Sequence, residues 1–116
     1  MARRILWLIG VTALVLAACG GDPHPDVTMD RDAASVAAGE AIFIENCAVC
    51  HGEGMEGGTG PALVDAELGH PDSDFIMFVT DGKGSEMPAF GDTLSSEEIA
   101  SVVDYVRSVQ AANLDE

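Results

Sequence analysis

The residues with the clearest chemical potential lie near the middle of the chain, in the run Cys47-Ala48-Val49-Cys50-His51. Two thiols three positions apart, followed at once by an imidazole, form the pattern by which haem is attached covalently to protein. Thiols at this spacing at a helix end add to the two vinyl groups along one porphyrin edge, and the next residue presents a nitrogen to the iron. The motif therefore predicts a haem site with His51 as an axial ligand.

Three other kinds of site use two neighbouring cysteines: a zinc site, a redox-active dithiol and a structural disulfide. Zinc usually takes a second pair of ligands, and the remaining histidines, His24 and His70, are unpaired and far apart in sequence. A thioredoxin-like dithiol belongs in a βαβ pattern, whereas a predicted helix precedes this motif. The pentapeptide alone leaves these alternatives open, so the surrounding elements must discriminate between them.

Two predicted helices flank the motif. The first covers residues 34–47, in which apolar residues recur at helical spacing. Gly39 lies inside it, and because glycine is unfavourable in a helix we expect another element to approach closely there. The second helix covers residues 73–81, with Asp72 or Ser73 as its N-cap.

A third helix has the strongest signals. Ser95 and Glu98 have the spacing of a capping box, and Arg107 suits the negative end of the helix dipole in the last turn. The apolar residues repeat at i, i+3, i+4 and i+7, as Ile99, Val102, Val103 and Val106. No alternating run predicts a strand, so the sequence predicts an all-α fold.

The beginning of the chain has the features of an export signal. Two arginines precede residues 5–16, a largely apolar run too short to span a membrane. The run Leu16-Ala17-Ala18-Cys19 resembles the lipobox of bacterial lipoproteins. That resemblance implies a signal peptide over residues 1–18, a lipid on Cys19 and a protein anchored to a bacterial membrane, facing the periplasm.

The rest of the chain divides into a linker, a domain and a tail. Residues 19–33 are rich in Gly, Pro and Asp without hydrophobic periodicity, which predicts a flexible tether. The domain covers residues 34–112, and residues 113–116 form a short tail. An apolar core in a domain of this size rarely supplies more than roughly 3–5 kcal/mol of stability, so additional stabilisation is expected.

The charge of the chain is strongly negative. The 116 residues include 20 acidic and 5 basic ones, a formal net charge of −15. Removal of residues 1–18 takes away Arg3 and Arg4 and no acidic residue, so that −15 becomes −17. Such a protein does not bind nucleic acid, because phosphates are neutralised by clustered Lys and Arg.

The domain as a whole resembles the class I monohaem c-type cytochromes. The resemblance covers nearly all of residues 34–112. It rests on the Cys-x-x-Cys-His motif, on Gly39 and Phe43 eight and four residues before Cys47, and on two further segments, Gly60-Pro61-Ala62-Leu63 and Met87-Pro88-Ala89-Phe90. The implied fold is a small cytochrome c fold, with three main helices and loops around one covalent haem c, in which Val102 and Tyr105 cross Gly39.

The resemblance also implies a role for each site residue. Cys47 and Cys50 bind the haem, and His51 is the proximal iron ligand. The Pro61 carbonyl accepts the Nδ1 proton of His51, and Leu63 packs on the haem. The distal ligand is Met87; His70 is the alternative, Met77 is expected in the core, and Met55 is too near His51 to reach the opposite face.

These features predict a one-electron carrier and not an enzyme. A haem with both axial positions filled cycles between Fe(III) and Fe(II) without an open site for substrate. The negative charge favours redox partners with a basic docking face, such as membrane respiratory complexes or oxidoreductases. The alternative is a haem subunit, gas-sensing or peroxidase-type domain in which Met87 leaves the iron.

Overall fold

The protein is helical, as the sequence predicts. A computed structural model describes residues 31–65 and 70–116, and the predicted signal peptide, Cys19 and most of the predicted linker lie outside them. The elements are, in order, α1 (Ala33–Asn46), α2 (Ala48–His51), α3 (Asp72–Asp81) and α4 (Ser96–Leu114). Within these described segments the extended pairing is a single antiparallel bridge between Lys83 and Met87.

The frame of the fold is the crossing of α1 and α4. A Cβ on Gly39 would lie 1.8 Å from the Ser101 carbonyl oxygen and 2.9 Å from the Tyr105 Cβ, so only glycine allows this approach. The close crossing and the part of Tyr105 are therefore confirmed. The backbone nearest to Gly39 is that of Ser101, and Val102 is buried in the same core cluster as Phe43 of α1.

The core lies between these two helices and the chain that follows α2. Five buried residues form it, and an edge-to-face contact between Phe43 and Tyr105, with ring centroids 5.5 Å apart, extends it along the crossing. The buried members are Phe43, Cys47, Met55, Val102 and Val106. One cysteine of the motif is thus part of the core itself.

Both long helices begin at caps that their sequences encode. Asp32 caps α1 by accepting a hydrogen bond from the Ser35 amide at 2.7 Å. The predicted capping box of α4 is confirmed, because the Glu98 amide donates to Ser95 Oγ at 3.2 Å and the Ser95 amide donates to Glu98 Oε2 at 2.7 Å. These caps satisfy amides that would otherwise lack partners in the first turns.

The structure corrects the sequence prediction at two helix ends. Pro71 is the N-cap of α3, and Asp72 lies in its first turn instead of capping it. The α4 helix continues to Leu114, two residues into the predicted tail, so Arg107 lies well before its last turn. Arg107 therefore does not act on the helix end; its Nε donates to Asp72 Oδ1 at 2.9 Å. The described helices include none long and apolar enough to cross a membrane.

Candidate haem site

The short helix α2 brings the three motif side chains together. The amides of Cys50 and His51 both donate to the Cys47 carbonyl, at 3.1 and 3.0 Å, so the chain turns tightly between the two thiols. Both cysteines are free thiols. Burial, and next the Cys50 thiol nearby, raise the pKa of Cys47 to about 11. The Cys47 side chain therefore favours the neutral thiol at one end of the core.

The His51 ring is held with one nitrogen occupied and the other free to bind a metal. The side chain is 9% exposed, and its Nδ1 lies 2.8 Å from the Pro61 carbonyl oxygen. Because a carbonyl only accepts hydrogen bonds, Nδ1 carries a proton, and in the neutral imidazole Nε2 then keeps its lone pair. The hydrogen bond implied by the resemblance is thus present, and it presents Nε2 as a metal ligand.

Residues 52–63, which we call the proximal loop, fold back onto α2 through backbone hydrogen bonds. The Gly57 amide donates to the His51 carbonyl at 2.7 Å, and the Gly60 amide donates to the Cys50 carbonyl at 2.8 Å. A Cβ on Gly60 would lie 3.0 Å from His51 Cε1. The loop therefore packs directly against the imidazole, which explains why glycine occupies this position.

Two residues that anchor the proximal loop were not predicted from the sequence. Met55 is fully buried, and its carbonyl accepts from the Leu63 amide at 2.8 Å. The Leu63 carbonyl in turn accepts from Gln110 Nε2 at 2.9 Å. The sequence holds a signal for each: Met55 is a large apolar residue among the glycines of the loop, and Gln110 lies four residues, about one helical turn, after Val106.

Residues 82–91, which we call the distal loop, carry Met87. The loop turns at Gly82, whose φ is 75° and whose Cβ would lie 2.5 Å from the Met87 carbonyl oxygen. The Lys83 amide donates to that carbonyl at 3.0 Å, and the Phe90 amide returns to α3 by donating to the Val79 carbonyl at 2.9 Å. Met87 is half-buried and closes this turn as the bridge partner of Lys83.

The alternative distal ligands lie in different surroundings. Met77 is 39% exposed, so the prediction that it lies in the core is wrong. The His70 Nδ1 lies 3.1 Å from Asp74 Oδ2, and its ring meets Phe75 and Phe78 edge to face at 6.4 and 5.9 Å. Interactions with α3 therefore already engage His70.

Comparison with known proteins decides the family. A family described as "Cytochrome C oxidase, cbb3-type, subunit III" matches residues 34–106. The chain belongs to this family. The Cbb3-type cytochrome c oxidase subunit FixP of Sinorhizobium medicae is 40% identical over an alignment 90 residues long, which covers 67% of this chain and 31% of that protein. Cytochrome c55X of Stutzerimonas stutzeri is 40% identical over 65 residues, 54% of this chain and 58% of that protein.

Two solved structures share the fold. Cytochrome cL from Methylophaga aminisulfidivorans has a TM-score of 0.60 and 32% identity, covering 66% of this chain and 54% of its own. Cytochrome cL from Hyphomicrobium denitrificans also has a TM-score of 0.60, with 26% identity, covering 84% of this chain and 59% of its own. The chain thus spans less than two thirds of the length of each of these relatives, and the predicted cytochrome c fold is confirmed.

The residues present fit the covalent haem that c-type cytochromes contain. Cys47, the N-cap of α2, and Cys50 within α2 supply two thiols, and the neutral imidazole of His51 offers Nε2 beside them. A cation of the zinc type would need further ligands, and the described residues contain no group of three metal-binding side chains. The arrangement favours haem over the zinc and dithiol alternatives.

Proposed function

We propose that this chain carries one electron at a time on a single covalent haem c. In this proposal Cys47 and Cys50 form the thioether bonds, and His51 and Met87 provide the axial ligands. The observation that carries the proposal is the hydrogen bond from His51 Nδ1 to Pro61, which leaves Nε2 available beside two free thiols. Bound haem would supply one-electron chemistry between Fe(III) and Fe(II).

The protein contributes position and exclusion of water. Pro61 fixes the tautomer and orientation of the imidazole, and Leu63, partly buried against the core, is proposed to pack on the haem. A thioether opposite an imidazole favours Fe(II) and raises the reduction potential. If His51 and Met87 both bind the iron, the haem would have no position left for a substrate, so this ligand set favours electron transfer over catalysis.

Replacement of Met87 tests the axial ligand. Met87→Ala should abolish the weak long-wavelength absorption band of Met-ligated Fe(III), and the matched variant Met77→Ala should retain it. The absorption spectrum of the oxidised, purified protein is the measurement. A band that survives in Met87→Ala, or rapid carbon monoxide binding by the reduced wild-type protein, would contradict the proposal and favour a ligand-binding domain.

The charge distribution supports partners with a basic docking face. Among the described residues the cations are engaged within the protein: Arg107 with Asp72, Lys83 with its Nζ 4.3 Å from the Phe78 ring centroid, and Arg31 with Asp72. The acidic majority is left to face partners, so we propose electrostatic docking to a membrane respiratory complex or oxidoreductase. Electron-exchange rates with such a partner should fall as salt rises; rates independent of salt would contradict this docking mode.

We further propose that the mature protein is exported and held at a bacterial membrane by a lipid on Cys19. The lipobox-like run before Cys19 supports this proposal. The linker would keep the domain within tens of ångströms of the membrane, since an extended residue spans about 3.5 Å. Cell fractionation of Cys19→Ser should find the protein released from the membrane, whereas unchanged membrane association would disprove the anchor.

A further inference from the structure

We propose that Gln110 is a positioning residue for the haem iron: by holding the Leu63 carbonyl it fixes the hydrogen bond between Pro61 and His51 and so lowers the reduction potential. This inference rests on the proposed function, because it concerns the basicity of the proximal ligand. It assigns a role to a buried polar side chain on α4 that lies far from the Cys-x-x-Cys-His motif in the sequence.

The two contacts of Gln110 fix the orientation of its amide. The side chain is buried, with 1% of the residue exposed. Its Oε1 accepts from Arg107 Nη1 at 3.0 Å, and its Nε2 donates to the Leu63 carbonyl at 2.9 Å. Because a guanidinium only donates and a carbonyl only accepts, the amide can satisfy both partners in one orientation alone. Gln110 is therefore a directional clamp.

The clamp acts on the end of the proximal loop. The Leu63 amide donates to the Met55 carbonyl at 2.8 Å, so Leu63 is held through both its amide and its carbonyl. Pro61, whose carbonyl accepts from His51 Nδ1, lies two residues earlier. Only two peptide units separate the clamped carbonyl from the one that faces the imidazole. Release of Leu63 would therefore allow the Pro61 carbonyl to move away from His51.

The strength of the hydrogen bond from His51 Nδ1 to the Pro61 carbonyl affects how strongly Nε2 binds the iron. A carbonyl that accepts firmly from Nδ1–H increases the basicity of Nε2, and a more basic nitrogen stabilises Fe(III) relative to Fe(II). Loss of alignment makes the imidazole a weaker donor to the metal. Weakening the clamp is therefore expected to raise the reduction potential.

The surroundings argue that the amide has a purpose beyond filling space. Gln110 continues the apolar stripe of α4 one repeat after Val106, where a methionine of similar size would pack without the cost of burying a polar group. A buried amide is favourable only where both of its ends have partners. Both ends do, and one of those partners belongs to the loop that orients His51.

The test compares Gln110→Met with wild-type holoprotein. The variant should have a higher midpoint potential in a spectroelectrochemical titration. The His51 Nδ1 proton of the reduced protein, followed by nuclear magnetic resonance, should exchange with solvent roughly tenfold faster, the effect of losing one hydrogen bond. The matched control is Asn113→Met on the same helix, which removes a 2.9 Å bond from Nδ2 to the Val109 carbonyl; it should change neither readout.

An unchanged potential and unchanged exchange in Gln110→Met would overturn the inference, even if thermal stability fell, because the residue would then be purely structural. If Gln110→Met does not yield haem-containing protein, Gln110→Leu is measured in its place: it also lacks the hydrogen bond to the Leu63 carbonyl, so its potential must rise, and an unchanged potential overturns the inference. Failure of the proposed function is distinguishable, since wild-type protein would then lack covalent haem or the Met–iron band.

Discussion

The proximal and distal loops place one proposed ligand each, and they do so in different ways. The proximal loop returns to α2 through short backbone hydrogen bonds, and its central residues are buried: Met55 is 0% and His51 9% exposed. The distal loop is closed by one bridge between Lys83 and Met87, and most of its residues are exposed. The protein alone therefore fixes the proximal ligand more firmly than the distal one.

This difference indicates a division of labour. A ligand whose orientation is set by buried hydrogen bonds keeps its geometry when the charge of the iron changes, which suits rapid electron transfer. A ligand on an exposed turn depends more on its own bond to the metal, because exposed backbone hydrogen bonds open more readily. We therefore expect perturbations of the proximal loop to cost more stability than matched perturbations of the distal loop.

A pair of glycine substitutions tests this expectation, and it has the largest predicted effect. In Gly60→Val the new Cβ would lie 3.0 Å from His51 Cε1 and 3.3 Å from the Cys50 carbonyl oxygen, and its two methyl groups add further bulk to this tight contact. We expect a loss of about 2–4 kcal/mol in the free energy of unfolding. Denaturant titration of the holoprotein measures it.

The matched member of the pair is Gly84→Val in the distal loop. Gly84 has a φ of 58°, and a Cβ there would meet nothing within 4 Å, so the loss comes from backbone strain, at about 1–2 kcal/mol. Equal losses in the two variants would remove the distinction between the loops. A greater loss in the distal variant would reverse it.

The next prediction concerns Arg107, which contacts both Gln110, behind the proximal loop, and α3, from which the distal loop begins. Its Nη1 donates to Gln110 at 3.0 Å, behind the proximal loop, while its Nε donates to Asp72 at 2.9 Å, at the start of α3. Its guanidinium carbon also lies 4.2 Å from the Phe75 ring centroid. Arg107→Met should lower the free energy of unfolding by about 2 kcal/mol, since two largely buried partners lose a charged donor.

Arg107→Met should also change one measurement for each loop. The His51 Nδ1 proton should exchange faster through Gln110, and the Met–iron band should weaken at a lower temperature because α3 is less firmly held. Spectra recorded during thermal unfolding measure the second effect. A variant in which only one side responds would show that Arg107 supports one loop and does not couple the two.

How much of this site the sequence predicts depends on the range of the interactions. The thiol pair with His51, the capping box and the all-α fold were predictable because each is encoded within a few neighbouring residues. Gly39 indicated a close crossing because glycine is unfavourable inside a helix. The sequence did not identify Ser101 as the residue whose backbone approaches it.

The features that were missed are long-range and polar. Gln110 is 47 residues from Leu63 and Arg107 is 35 residues from Asp72. The stripe of α4 gives the face on which Gln110 lies, but not the loop that arrives there. The prediction that Arg107 interacts with the helix dipole was wrong for the same reason. The sequence shows a basic residue near a predicted helix end, but it does not show that α4 continues to Leu114 or that Asp72 of α3 pairs with Arg107.

The smallest predicted effect concerns Tyr105 at the α1–α4 crossing, and it tests whether this crossing acts independently of the proximal and distal loops. Burial, and next the charge of Glu40, raise the pKa of Tyr105 above its ordinary value of 10.0. The folded protein therefore favours the neutral phenol, so this residue's contribution to stability is complete below the ordinary pKa and declines as pH rises above it.

Tyr105→Phe keeps the edge-to-face contact with Phe43 and should make stability less sensitive to alkaline pH. Denaturation midpoints at about pH 8 and about pH 11 measure the change against the ordinary tyrosine pKa, and identical slopes in variant and wild type would contradict it. Because the Tyr105 ring packs on Phe43 at the α1–α4 crossing, its variant should leave the reduction potential and the Met–iron band at neutral pH unchanged, whereas a shift in either would mean that the α1–α4 crossing itself positions the ligands.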